Sequence, residues 1–118
     1  MGGDSELSRY SIDVSVNMVE YYKWLVGEKR EYVMSKQILR SGTSIGANIH
    51  EAYYAVSKAD FIAKMHIALK EASETEYWLI ILEKTGFFDE RFHMVKEHCQ
   101  SLKRMLIATL NTSKKAKG

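Results

Sequence analysis

The chain has 118 residues, with 17 Lys+Arg against 15 Asp+Glu for a formal charge of +2, no proline, seven glycines and one cysteine. That length allows one domain with a real core and little space for a second, and 46% hydrophobic with 27% charged residues is globular rather than disordered. No apolar run reaches membrane-spanning length, no signal-peptide pattern opens the sequence, and a lone Cys99 cannot close an intrachain disulfide, so the expected compartment is a reducing cytoplasm.

Proline and glycine are the usual punctuation of strands and turns, and their scarcity favours long helices. The first predicted helix runs from about Ser8 to Val26, where Ile12, Val16, Val19, Tyr22 and Val26 recur at helical spacing, and Gly27 follows as a stop. The second runs from about Glu31 into Tyr53-Tyr54 on the stripe Met34, Ile38, Gly42, Ile45, Ile49, Ala52 and Val56. Ser57 with Asp60 is a capping-box-like start for the third, whose stripe is Phe61, Met65, Ala68, Ala72, Thr75, Leu79 and Leu82, ending at Gly86. Asp89 is the expected N-cap of the fourth, with Phe92, Val95, Cys99, Leu102, Leu106 and Thr109 inward and a solvated Lys-rich tail behind.

Four near-heptad stripes joined by short turns predict an all-α fold, an antiparallel up-down four-helix bundle occupying residues 1–118 as a single domain, with 1–7 and 112–118 as flexible ends. An irregular helical array is the competing architecture. No internal repeat suggests a solenoid, and no segment alternates as a strand does.

Few constellations in the chain could carry chemistry. A di-metal bundle needs Glu-x-x-His on two helices, and only Glu90 to His93 matches, in a first turn where Glu more simply complements the helix dipole. His50, His66 and His98 are scattered on polar flanks, and Cys99 lies in an apolar stripe where a buried thiol is inert. Gly42-Thr-Ser-Ile-Gly46 lacks the Lys-Ser/Thr pair and preceding strand of a phosphate loop. The sequence therefore predicts no enzyme, metal or cofactor.

Gly42 and Gly46 sit inside the second helix, each at a cost of about 1 kcal/mol against Ala. With Ser41 and Ala47 they let a neighbouring helix come close, as in small-x-x-x-small packing. Beside them Arg40, Ser44, Asn48 and Glu51 form a polar strip with two readings: a half-exposed flank in which Arg40 reaches Glu71 or Glu74, or a polar seam between protomers.

Charge is unevenly spread. Residues 59–90 hold three Lys and seven Asp/Glu, whereas 91–118 hold seven Lys/Arg and only Glu97. Lys96, Lys103 and Arg104 with Lys114, Lys115 and Lys117 make a basic footprint suited to phosphate backbones, although no aromatic is interleaved to stack bases. Adjacent pairs Tyr21-Tyr22, Tyr53-Tyr54 and Tyr77-Trp78 point about 100° apart on a helix, so one member of each must approach the surface, where Tyr and Trp favour interfaces. That argues for self-association.

The run Gln37-Ile-Leu-Arg40-Ser41-Gly-Thr-Ser44-Ile45-Gly-Ala-Asn48-Ile49-His-Glu51-Ala, then Ser57-Lys-Ala-Asp60-Phe61 and Ala68-Leu-Lys70-Glu71-Ala-Ser-Glu74-Thr-Glu-Tyr77-Trp78-Leu79, closely resembles the bacterial four-helix bundle proteins first noted as open reading frames in intervening sequences of large-subunit ribosomal RNA genes. The family's frequent Pro before the Ala-Asn step is Gly46 here, and its Gly after the Glu is Ala52. The resemblance implies an antiparallel four-helix bundle, commonly a homopentamer around a central channel, with no established catalytic activity. A related branch, the accessory variability determinant of diversity-generating retroelements, implies a basic surface that contacts RNA or DNA and a reverse transcriptase.

Overall fold

The computed structural model describes residues 5–115. Four helices follow in order, α1 (Glu6–Gly27), α2 (Met34–Ala52), α3 (Lys58–Lys84) and α4 (Glu90–Lys115), and no strand occurs among the described residues. Each helix packs on the next in the chain, α4 closes back on α1, and the backbones of the diagonal pairs α1/α3 and α2/α4 stand further apart across the common core. This is the expected up-down four-helix bundle, 50 Å long and about 22 Å across.

The caps show why the chain breaks where it does. Ser5 and Ser57 have extended backbone, and their hydroxyls accept from Ser8 N (3.0 Å) and Asp60 N (3.1 Å), starting α1 and α3. The Asp89 carboxylate accepts from Arg91 N (2.8 Å) and Phe92 N (3.2 Å) at the start of α4. For α2 the role falls to Glu31, whose carboxylate accepts from Val33, Met34 and Ser35 N–H at 3.2, 3.1 and 2.6 Å. Helix therefore begins at Met34 and not at Glu31.

At the end of α3 Gly86 turns left-handed (φ 90°), and Gly86 N and Phe87 N return to the carbonyls of Glu83 (3.2 Å) and Leu82 (2.9 Å), a Schellman ending. Gly27 is the last residue of α1, as its sequence position suggested, yet Arg30 carries the left-handed turn (φ 54°). The chain reverses there, and Glu31 N donates to Leu25 O at 2.9 Å while its side chain serves α2. Helix also reaches further toward both ends than expected: Glu6 and Leu7 are helical, Leu7 is buried, and α4 continues through 112–115.

In α3 all seven stripe residues, Phe61 to Leu82, are buried, and in α4 Leu110 replaces Thr109 as the last inward residue. In α2 Ser35 rather than Met34 opens the buried face, and Val56 lies beyond the helix, 94% exposed. The largest correction concerns α1. Its core face is Leu7, Ser11, Val14, Met18, Tyr21 and Leu25, whereas Ile12 and Val16 of the expected stripe are 57% and 54% exposed and Val19, Tyr22 and Val26 are half-buried. Two stripes of correct period coexist on this helix. Tyr21 decides between them: buried, it donates to Phe87 O (2.8 Å) and packs on Trp24 and Phe92. The serines in the inward stripe, which make it read as polar, bond their own helix through Ser11 Oγ to Ser8 O (2.7 Å).

Candidate functional site

The two interior glycines face α1. A Cβ on Gly42 would stand 2.4–3.0 Å from the Met18 side chain, and one on Gly46 would stand 3.1 Å from Ser15 Oγ and 3.3 Å from the Ser11 carbonyl. They permit the close α1–α2 approach that small residues suggest, and that approach lies inside one copy of the chain.

The polar strip lies on the other side of α2, toward α3. Arg40 bonds Glu71 (3.4 Å) and Glu74, and the Glu51 carboxylate is 3.2 Å from Lys64. Ser44 Oγ donates to Arg40 O at 2.6 Å and Asn48 Nδ2 to Ser44 O at 2.8 Å. Trp78 Nε1 adds a bond to Glu74 (3.2 Å), and the Arg40 guanidinium with this indole holds the Glu74 carboxyl below its usual range. Between the strip and the core, the Thr75 and Ser41 hydroxyls are hydrogen-bonded at 2.9 Å. Glycines and strip therefore serve two different neighbours of α2.

The basic surface is likewise divided. Lys96 meets Glu83 (3.4 Å) and Lys103 meets Glu76 (2.7 Å), two rungs joining α4 to α3. Such half-exposed pairs contribute about 0–1 kcal/mol each and chiefly set register. Arg104 donates to Ser101 Oγ at 3.1 Å, and Lys114 and Lys115 are exposed with no carboxylate partner among the described residues. Lys117 lies outside the described residues. Sequence reasoning did not single out Glu76 and Glu83, although the acidic excess of 59–90 against the basic excess of 91–118 was the signal: two of the α4 lysines find carboxylates on α3.

Two buried titratable groups, Cys99 and Tyr21, belong to the core. Burial pushes the Cys99 thiol up to about 12, with Glu76 adding to the shift, and burial raises the Tyr21 phenol, helped by Asp89 and Glu31. His98 lies between α4 and α1, 2.5 Å from the Asn17 amide and edge-on to Tyr10. No group of three His, Cys, Asp or Glu suited to a metal comes together among the described residues, and none of the described helices is long and apolar enough to cross a membrane.

Two of the grooves that the fold leaves open hold apolar side chains. Ile12, Val16 and Val19 of α1, with Gly46, Ala47 and His50 of α2, line a shallow groove along the α1–α2 face. A second groove runs along the α3–α4 face, lined by Leu79, Ile80, Phe92 and Gln100 between Glu76, Glu83 and Lys96. The helical aromatic pairs divide as helix geometry demands, Tyr77 exposed beside half-buried Trp78 and Tyr22 half-buried beside buried Tyr21, whereas Tyr53 and Tyr54 lie in the turn after α2, one half-buried and the other exposed.

A family model described as 23S rRNA-intervening sequence protein matches residues 4–108. Among solved structures, a protein of unknown function from the S23 ribosomal protein family of Bacteroides thetaiotaomicron is 48% identical, covering 88% of this chain and 97% of that one, with a TM-score of 0.84. A comparison with curated proteins found no match.

Proposed function

The chain belongs to the 23S rRNA-intervening sequence protein family, and on that premise we propose that it is a non-enzymatic helical scaffold, working in the cytoplasm as a closed assembly of identical copies. The observation that carries this reading is the second apolar stripe of α1. Ile12 and Val16 are more than half exposed at the helical spacing of a core face, beside a groove floored by Gly46 and Ala47. A helix apolar on two sides has one more face than a lone four-helix bundle buries. Five copies is the number that the family resemblance implies.

The test is substitution of the exposed stripe. Ile12→Lys with Val16→Lys is expected to leave the helical circular dichroism unchanged, because neither side chain is in the core, and to reduce the mass by light scattering to that of a single chain. An unchanged mass would remove this face from any assembly.

A second reading, a nucleic-acid-binding accessory protein that contacts RNA or DNA and a reverse transcriptase, is favoured only by Arg104, Lys114 and Lys115, the α4 cations without a carboxylate partner among the described residues. It expects retention of structured RNA that falls steeply with salt, as counterion release requires. Binding that survives Arg104→Glu would exclude this surface.

A further inference from the structure

We propose that the end of the bundle carrying the α2–α3 turn docks on an anionic phospholipid surface, with Val56 and Tyr54 entering the headgroup layer and Lys114 and Lys115 meeting its phosphates. The contact adds to the scaffold reading and does not depend on it. The turn Tyr53-Tyr54-Ala55-Val56-Ser57 contains neither glycine nor proline, and its shape is set by hydrogen bonds. Tyr54 N and Ala55 N donate to the carbonyls of Glu51 (3.0 Å) and Ala52 (3.1 Å), and Val56 N donates to the Asp60 carboxylate at 3.4 Å. Tyr53 packs edge-on against Phe61 and anchors the turn from inside. Tyr54 and Val56 are thereby held outward, 65% and 94% exposed, at the blunt end of a bundle 50 Å long. One exposed aliphatic side chain is ordinary on a protein surface. An aliphatic and a tyrosine presented together at a tip, beside lysines, is the composition that suits a headgroup layer.

The up-down order brings the start of α3 and the finish of α4 to this same end, and with them Lys114 and Lys115, exposed and without a carboxylate partner among the described residues. Arg9, Lys58 and Lys64 are the other cations within the two turns that close this end, and Glu6, Glu51 and Asp60 its carboxylates, so cations lead by five to three. Glu51 is taken by Lys64 (3.2 Å) and Asp60 by the turn itself, while Arg9 and Lys58 are already engaged. The turn 53–57 carries no charge. The opposite end exposes Tyr32, Val33 and Phe88, but its two connecting segments, 28–33 and 85–89, set Glu28, Glu31 and Asp89 against Lys29 and Arg30. An anionic surface therefore favours the α2–α3 end. A phosphate backbone could use the same lysines, yet Val56 has no ring to stack on a base and Tyr54 already rests on His50, 5.3 Å between ring centroids, so the tip favours lipid over nucleic acid.

The test is cosedimentation of the full chain with vesicles of phosphatidylcholine alone and of equal parts phosphatidylcholine and phosphatidylserine. Binding to the anionic vesicles only, weakening as salt is added, is expected. Each lysine close to such a surface is worth about fivefold in binding, so Lys114→Gln with Lys115→Gln is expected to weaken it about 25-fold. Val56→Asp is expected to leave the helical circular dichroism unchanged and to weaken binding about tenfold or more, whereas Val33→Asp at the other end leaves binding as it was. No binding to the anionic vesicles would overturn the proposal. Binding that survives Val56→Asp would mean attraction of charge without insertion and would overturn it, as would a loss on Val33→Asp. Retention of structured RNA through Lys114 and Lys115, with no vesicle binding, would give these lysines to the nucleic-acid reading and overturn it as well.

Discussion

Arg30 is the one described non-glycine residue in left-handed backbone, at φ 54°, a conformation that costs an L side chain about 1–2 kcal/mol. Arg30→Gly is expected to raise stability by about 1 kcal/mol in urea melts, with Glu31 capping intact; a loss would mean that the arginine side chain holds the turn. The interior glycines separate in the opposite sense. Gly42→Ala drives a Cβ into Met18, itself fully buried, and is expected to cost about 1–3 kcal/mol despite the better helix propensity of Ala. Gly46→Ala meets contacts of 3.1–3.3 Å and is expected to stay within about 1 kcal/mol of the parent. Equal effects at the two positions would contradict the packing described. Cys99 supplies a pH dependence: its folded value lies above that of the unfolded chain, so the stabilisation is complete below the ordinary thiol value and is lost as pH rises toward about 12. Between pH 9 and 10 the parent is expected to lose about 1 kcal/mol more than Cys99→Ala, measured as parallel denaturant melts.

Legibility differed from element to element. α3 could be read in full, because every inward position is apolar or a Thr whose hydroxyl finds Ser41 and the Glu71 carbonyl (2.8 Å), so the period marks the face without competition. α1 could be placed but not oriented. Its inward stripe holds Ser8 and Ser11, which read as polar until the bond of the Ser11 hydroxyl to the Ser8 carbonyl is known, and its outward stripe is the more continuously apolar. The start of α2 was displaced because a side-chain cap three residues before a helix is invisible to periodicity. Glu31→Ala is expected to cost about 1 kcal/mol, the usual value of a lost cap, while Glu28→Ala, one turn away and exposed, changes stability little. The polar strip had two readings in the sequence, and Arg40 and Glu51 both reach α3 within one copy. Lys96 and Lys103 looked like an exposed phosphate-binding row because linear sequence does not show which helix lies alongside; α3 supplies a carboxylate to each.

At the scale of the whole molecule, the near-neutral total charge conceals a basic α4, two of whose lysines are met by carboxylates of α3 within the same chain. What remains outward is a second apolar stripe on α1 and a second groove on the opposite face, the arrangement expected of a unit built to stand beside copies of itself. The oligomer is the central claim, and its most direct measurement is the mass of the unmodified protein in solution by light scattering at tens of micromolar. A single species at a fixed whole multiple of the chain mass, unchanged on moderate dilution, is expected. A single-chain mass across that range would contradict it.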